Sequence, residues 1–255
     1  MIMVAEQNLW MHYYSFWWVL KSDQTDLSVT ASVLMEQLGQ KNFVLVDPSV
    51  KAGRVDVSES YRIASLSNEA IVSIGRLYDA EVVIYGKALA KLAGSVMNSS
   101  MQSAMADVSL RAVNTDNARV IASATNHAAA VHPSMVTAGT NALKAATESI
   151  STSLVEQIAE RWNQDVSSGA LIQLEIRGVA SYSRLVTFKD KVKQIREVTG
   201  LYQRSDHAGV ATLDLRATKG AQALADEIVG IDYGGFSVEV TEVSQNRIQL
   251  KMDGG

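Results

Sequence analysis

Cysteine is absent from this 255-residue chain, which rules out a disulfide framework, a thiolate zinc site and a cysteine nucleophile. Positive charge is not in excess: 23 Lys and Arg stand against 27 Asp and Glu, a formal net charge of −4. The cations are scattered rather than striped, so nothing draws this surface to phosphate backbones, and no nucleic-acid partner is expected. Long apolar runs are missing as well. The longest near the amino terminus, Leu9 to Leu20, covers 12 residues and is interrupted by His12 and Ser15, whereas a membrane-spanning helix needs about 20. No cation precedes that run and no small-x-small cleavage pattern follows it before Asp23 and Asp26, so it does not read as a signal peptide. The abrupt, strand-like start "MIMVAE" suggests a leader removed upstream.

Reaction chemistry is equally scarce. There is no G-x-S-x-G elbow and no Ser, His, Asp order suggestive of a triad. Gly86-Lys87 lacks the upstream glycine and downstream hydroxyl of a phosphate loop. His127 and His132 are five apart with no third convergent ligand in sequence. Asp107 and Arg111 lie four apart on one predicted strand and read as a partly exposed ion pair, and Asp206-His207 reads as a turn. The expectation is a protein that is not an enzyme, with no catalytic residue, no cofactor and no metal.

What is present is a core: 47% of the residues are apolar, enough for one large or two ordinary domains. Periodicity predicts a short strand at "MIMVA" and a helix over "TDLSVTASVLMEQLGQ" with Leu27, Val33, Leu34 and Leu38 on one face. It predicts a strand at "NFVLVDP" and a polar segment from Lys51 to Ser65. A second helix over "SNEAIVSIGRLYDA" has Ser67 as N-cap and Ile71, Ile74 and Leu77 together. Three strands follow. In "SAMADVSLRAV" Ala104, Ala106, Val108, Leu110 and Ala112 share one face, and "NTDNA" turns the chain into "RVIASATNHAA". A long helix from Ser134 to Trp162 repeats Leu143, Ala146, Ile150, Leu154, Ile158 and Trp162 at spacings of three and four, suited to cover the alanine face.

A linker is predicted at about residues 163 to 169. The pattern then restarts as strand, helix, strand, strand, helix, strand and a final strand, a βαββαβ core in ferredoxin-like order with an extra edge strand. The fold class is α+β: a βαβαβββα domain over residues 1–163, then a small ferredoxin-like domain over 170–255.

The stretches "AEVVIYGKALAKLAG", "MADVSLRAVNTDNARVIASATNHAA" and "AGTNALKAATESISTSLVEQIAERW" support a comparison with known families. Together they resemble the amino-terminal αβ module of TolB and its relatives, among them the curli-secretion lipoproteins and the middle domain of flagellar assembly protein T. The hairpin turn here reads "TDNA" where those families carry a glycine, and the long amphipathic insertion of a curli-type pore is missing. The resemblance implies a non-enzymatic protein of the Gram-negative periplasm or outer membrane that helps assemble a flagellar or secretion-type surface machine. It implies other envelope proteins as partners, a homo-oligomer as an option, and membrane attachment only through a removed lipid anchor.

The feature least explained by chance is "EQNLWMHYYSFWW", which holds six of the sixteen aromatic residues. On a helix, Trp10, Tyr13, Tyr14, Trp17 and Trp18 would share one broad face. Burial in the core, an exposed patch for protein contact, and a membrane-interface or glycan platform all remain open. Glu6, Gln7 and Asn8 follow the first strand, where a polar ligand could sit; loop residues there also satisfy backbone groups. A periplasmic small-ligand or glycan-binding protein, using residues 10–18 as platform, is the alternative function.

Overall fold

The computed structural model describes residues 1–19, 28–51, 57–95 and 100–254. It is an α+β protein with two mixed sheets and divides into two units, residues 1–159 and 160–255.

In the first unit the order is β1 (Ile2–Gln7), α1 (Val29–Gln40), α2 (Asn68–Leu77), β2 (Val82–Ser95), β3 (Gln102–Asn114), β4 (Val120–His132) and α3 (Met135–Ser168). The sheet runs β1-β2-β3-β4, with β1 and β2 parallel and the other pairs antiparallel. Both sheet faces carry apolar residues. Ile2 and Val4 of β1, with Ala104, Ala106, Val108, Leu110 and Ala112 of β3, pack against Leu34 and Leu38 of α1 and against Ala142, Leu143, Ala146, Ile150 and Leu154 of α3. On the opposite face Met3, Ala5, Val83, Tyr85 and Val113 pack against Ile71 and Ile74 of α2 and against Trp18. The predicted alanine face is thus the one the long helix covers, because side chains this short let helix and sheet approach closely. Gly86, in the "YG" of β2, is required by a close approach within the sheet: a Cβ there would lie 2.1 Å from the Ser109 carbonyl oxygen of β3.

Ser67 caps α2 as expected, and α1 begins at Val29 behind a Ser28 cap, inside the predicted span that opened at Thr25. Ser28 Oγ accepts from the Ala31 amide and Ser67 Oγ from the Ala70 amide. Leu27, expected on the first helix, lies outside the described residues, as do residues 52–56 of the predicted polar segment.

Three expectations are corrected. Residues 43–47 form no strand. Phe43 and Leu45 pack on one core and Val46 on the other while Val44 is 94% exposed, so the alternation is real but the backbone makes no ladder. The predicted linker is helical through residue 168, since nothing in "NQDVSS" breaks a helix before Gly169, whose φ is +91°. Trp162 and Leu77, assigned to buried faces, are 45% exposed; each falls near the end of its helix's apolar stripe, where the core has run out.

The second unit is built from β5 (Ala170–Arg177), α4 (Tyr182–Val192), β6 (Val198–His207), β7 (Val210–Ala217), α5 (Ala221–Val229), β8 (Ser237–Ser244) and β9 (Arg247–Asp253). Ile172, Leu174 and Ile176, with Leu213, Leu215, Ile248 and Leu250, meet Leu185 and Phe188 of α4 and Leu224 and Ile228 of α5 in one core. The sheet order is β6-β7-β5-β9-β8. The extra strand is therefore not at an edge: β9 lies between β5 and β8, parallel to β5. Burial explains the choice. Ile248, Leu250 and Met252 of β9 are all buried, whereas β8 buries only Val238 and exposes Glu239 and Glu242, the composition of a solvated edge. Asp206-His207 ends β6; the turn is Ala208-Gly209, both at positive φ.

Candidate functional site

The aromatic segment leaves the end of β1 as a pinned loop, not a helix. The Met11 amide donates to the Asn8 carbonyl at 2.9 Å, closing a turn, and Glu6 and Ser15 exchange two backbone hydrogen bonds of 2.9 and 2.7 Å. Only Trp17–Val19 is helical, as a single 3-10 turn. The helical spacing is real in the sequence, but the Glu6–Ser15 pairing competes with it and turns the stretch from Leu9 to Tyr13 outward.

The rings divide accordingly. Trp18 is 2% exposed, and its indole donates to the Ile63 carbonyl at 3.1 Å. Trp17 donates to the Ile2 carbonyl at 3.0 Å and meets Tyr78 edge-on at 5.3 Å. Phe16 lies 4.8 Å and Tyr85 6.2 Å from the Trp18 ring. Tyr14 is half-buried beneath the Lys87 ammonium. Trp10 and Tyr13 project instead, at 59% and 75% exposure. Four of the six rings anchor the segment, and the other two are what it presents.

Glu6, Gln7 and Asn8 are engaged within the protein. The Glu6 carboxylate, only 6% exposed, accepts from the Val29 amide at 3.0 Å and the Thr30 amide at 2.8 Å, capping α1. Gln7 donates to the Met11 carbonyl. Asn8 donates to Thr140 Oγ1 and accepts from the Leu9 amide.

Beside the anchor lies a group that sequence spacing did not reveal. Tyr85 and Arg111 are cross-strand neighbours, and the guanidinium stacks 5.2 Å from the ring centre. The Tyr85 hydroxyl donates to the Ala64 carbonyl and accepts from the Leu66 amide. Burial pushes this phenol above its ordinary pKa, opposed by the Leu66 amide and the Arg111 charge. Arg111 donates to the Leu66 carbonyl, while its enclosed Nε has no hydrogen-bond partner. The expected Asp107–Arg111 pair does not form. Four strand residues span about 13 Å, and Asp107 instead meets Lys91 across the strands at 3.4 Å. The period of two was legible along β3; the register that delivers Tyr85 to Arg111 was not.

His127 is exposed on β4, and His132 Nδ1 accepts from the Ser134 amide ahead of α3. Among the described residues no three His, Asp or Glu side chains converge, and no helix is long and apolar enough to cross a membrane.

No family model matches the chain, and no curated protein matches it. Solved structures similar to it include one described as a candidate lipoprotein from Caulobacter crescentus CB15. It is 9% identical at a TM-score of 0.29, over 52% of this chain and 82% of that one. Another is a Xanthomonas campestris protein described under DUF330, 19% identical at a TM-score of 0.25, over 34% of this chain and 51% of that one. Likeness at these scores carries no inference about activity.

Proposed function

We propose that this chain is a non-enzymatic protein of the bacterial cell envelope that works by presenting surfaces to other envelope proteins, as an assembly or scaffolding component of a flagellar or secretion-type machine. The observation that carries the reading is the aromatic loop. Trp10 and Tyr13 are held out from a frame fixed by the Trp17 and Trp18 indole hydrogen bonds and the Glu6–Ser15 pairing. Exposed Trp and Tyr on a rigid support lose little conformational entropy on binding and are typical interface anchors. The compartment and the machine rest on the sequence resemblance of the first unit. The lipoprotein description belongs to the Caulobacter protein.

The test uses the native gene, fractionation of the cell, and affinity capture from envelope extract with the wild-type chain and a Trp10→Ala/Tyr13→Ala variant. The reading expects envelope localisation and a defined set of partners that the variant no longer retains, with its far-UV circular dichroism unchanged. A cytoplasmic protein, or a variant that keeps every partner, overturns it. The same preparation titrated with muropeptides decides against protein contact if the Trp10 emission shifts and the variant's does not.

A further inference from the structure

The two sheets end in four edges, and they are treated differently. In the second unit β6 carries Arg204 and Asp206 and two register shifts, and β8 carries Glu239 and Glu242 and one shift. Charges and bulges of this kind stop a strand from pairing with another chain. In the first unit β1 is engaged by Ser15 at Glu6. The fourth edge, β4, is 13 residues long and reads VIASATNHAAAVH, with no Lys, Arg, Asp, Glu or Pro. Its only register shift is at the start, and pairing with β3 is regular from Ala122 to His132.

One side chain shows which way the free groups point. Gln157 of α3 takes both backbone groups of Ser123: the Ser123 amide donates to Oε1 at 3.3 Å, and Nε2 donates to the Ser123 carbonyl at 3.4 Å. The side-chain amide thus stands where a neighbouring strand would. In a regular antiparallel ladder every second residue directs its N–H and C=O to the same side, so Thr125, His127, Ala129 and Val131 also turn theirs outward. Among the described residues no plug stands on these four.

We propose that β4 pairs antiparallel with β4 of a second copy of this chain, about a two-fold axis at Ala128, to give a continuous eight-stranded sheet. In that register His127 faces Ala129 of the second copy and Thr125 faces its Val131, so all four open residues of each copy are bonded. The Gln157 plugs lie just outside the paired span and stay in place. The strand suits itself as a partner: every pair is small or uncharged, and nothing in it repels its own copy. The symmetry is isologous, and closure leaves no open β4 edge to propagate fibres. On the uncovered face the exposed Val131 is brought beside Thr125 of the other copy, while Met105 lies one strand in, behind Ala129. This surface is separate from the aromatic loop and does not depend on the compartment proposed above.

The test measures the mass of the full chain by sedimentation and light scattering across concentration. The expectation is a dimer at micromolar concentration. Thr125→Pro removes an N–H that β3 does not use, and it is expected to raise the dimer dissociation constant by about 100-fold or more while leaving the circular dichroism unchanged. Thr125→Lys/Ala129→Lys, with both changes on the solvent face, is a second route to the same loss should the proline variant unfold. Because the chain has no cysteine, single-cysteine oxidation reports the register. Ala128→Cys is expected to form a covalent dimer, and Thr125→Cys is not, its copies lying about 20 Å apart in the paired sheet. A chain that stays monomeric at 0.5 mM overturns the proposal. So does a dimer indifferent to the edge variants, or cross-linking at position 125 instead of 128.

Discussion

At Glu6 a carboxylate and the first turn of a helix satisfy one another. The opening amides of α1 have no intrahelical acceptor, and a negative charge is favoured at that end. Glu6→Ala therefore leaves the Val29 and Thr30 amides without this partner and is expected to cost about 1–3 kcal/mol in urea unfolding. Glu6→Gln, which keeps an acceptor, should cost less; equal losses would mean that the cap is not what the residue supplies. In the second unit Glu175 shows the same logic with charge. Burial opposes its ionisation, but hydrogen bonds from Arg247 and Arg177 outweigh that and hold its carboxyl below the ordinary Glu value. A depressed folded-state pKa adds stability above the unfolded pKa, and that stability is lost as pH falls through the folded one. Glu175→Gln should accordingly be less stable than wild type by about 1–2 kcal/mol at pH 7, with the gap closing below about pH 4 in a pH series of denaturation curves.

Elements differ in how far their sequence determines them. The alternation in β3 and the three-and-four spacing in α3 were legible because each pattern is long and each face is buried whole. "NFVLVDP" has the alternation of a strand too, yet its apolar residues find their cores without a ladder; local pattern reports burial, not pairing. The aromatic run fails differently. Its helical spacing loses to the Glu6–Ser15 bridge, a backbone pairing across nine residues that side-chain periodicity does not report, and the assignment of β8 and β9 to edge and interior depends on which strand buries more. The divided aromatic segment gives an optical prediction. Trp10 and Trp162 are 59% and 45% exposed while Trp18 is 2%, so Trp10→Phe/Trp162→Phe should remove most acrylamide-quenchable emission and leave a blue-shifted remainder. Strong quenching in that variant would mean that the anchored part of the loop opens in solution.

Across the whole molecule the apolar residues sort into separate cores. Those of the second unit run from Ile172 to Met252, and those of the first come from residues 1–158. The division between the units falls within α3. A helix can carry a chain between two cores without merging them, because cooperativity follows shared buried surface rather than continuity of the backbone. Phe188 tests this. It is fully buried in the second core and stacks on Tyr233 at 5.6 Å, so Phe188→Ala should cost about 3–5 kcal/mol where it acts. Native-state hydrogen exchange on the full chain then has a definite expectation: protection falls throughout β5, β7 and β9 and stays at the wild-type level in β3 and in α3 as far as Ile158. Calorimetry should show one of two transitions moving down. If protection fell equally in both units, the two cores would be a single cooperative structure, and surfaces on the first unit would have to be assayed with the second intact.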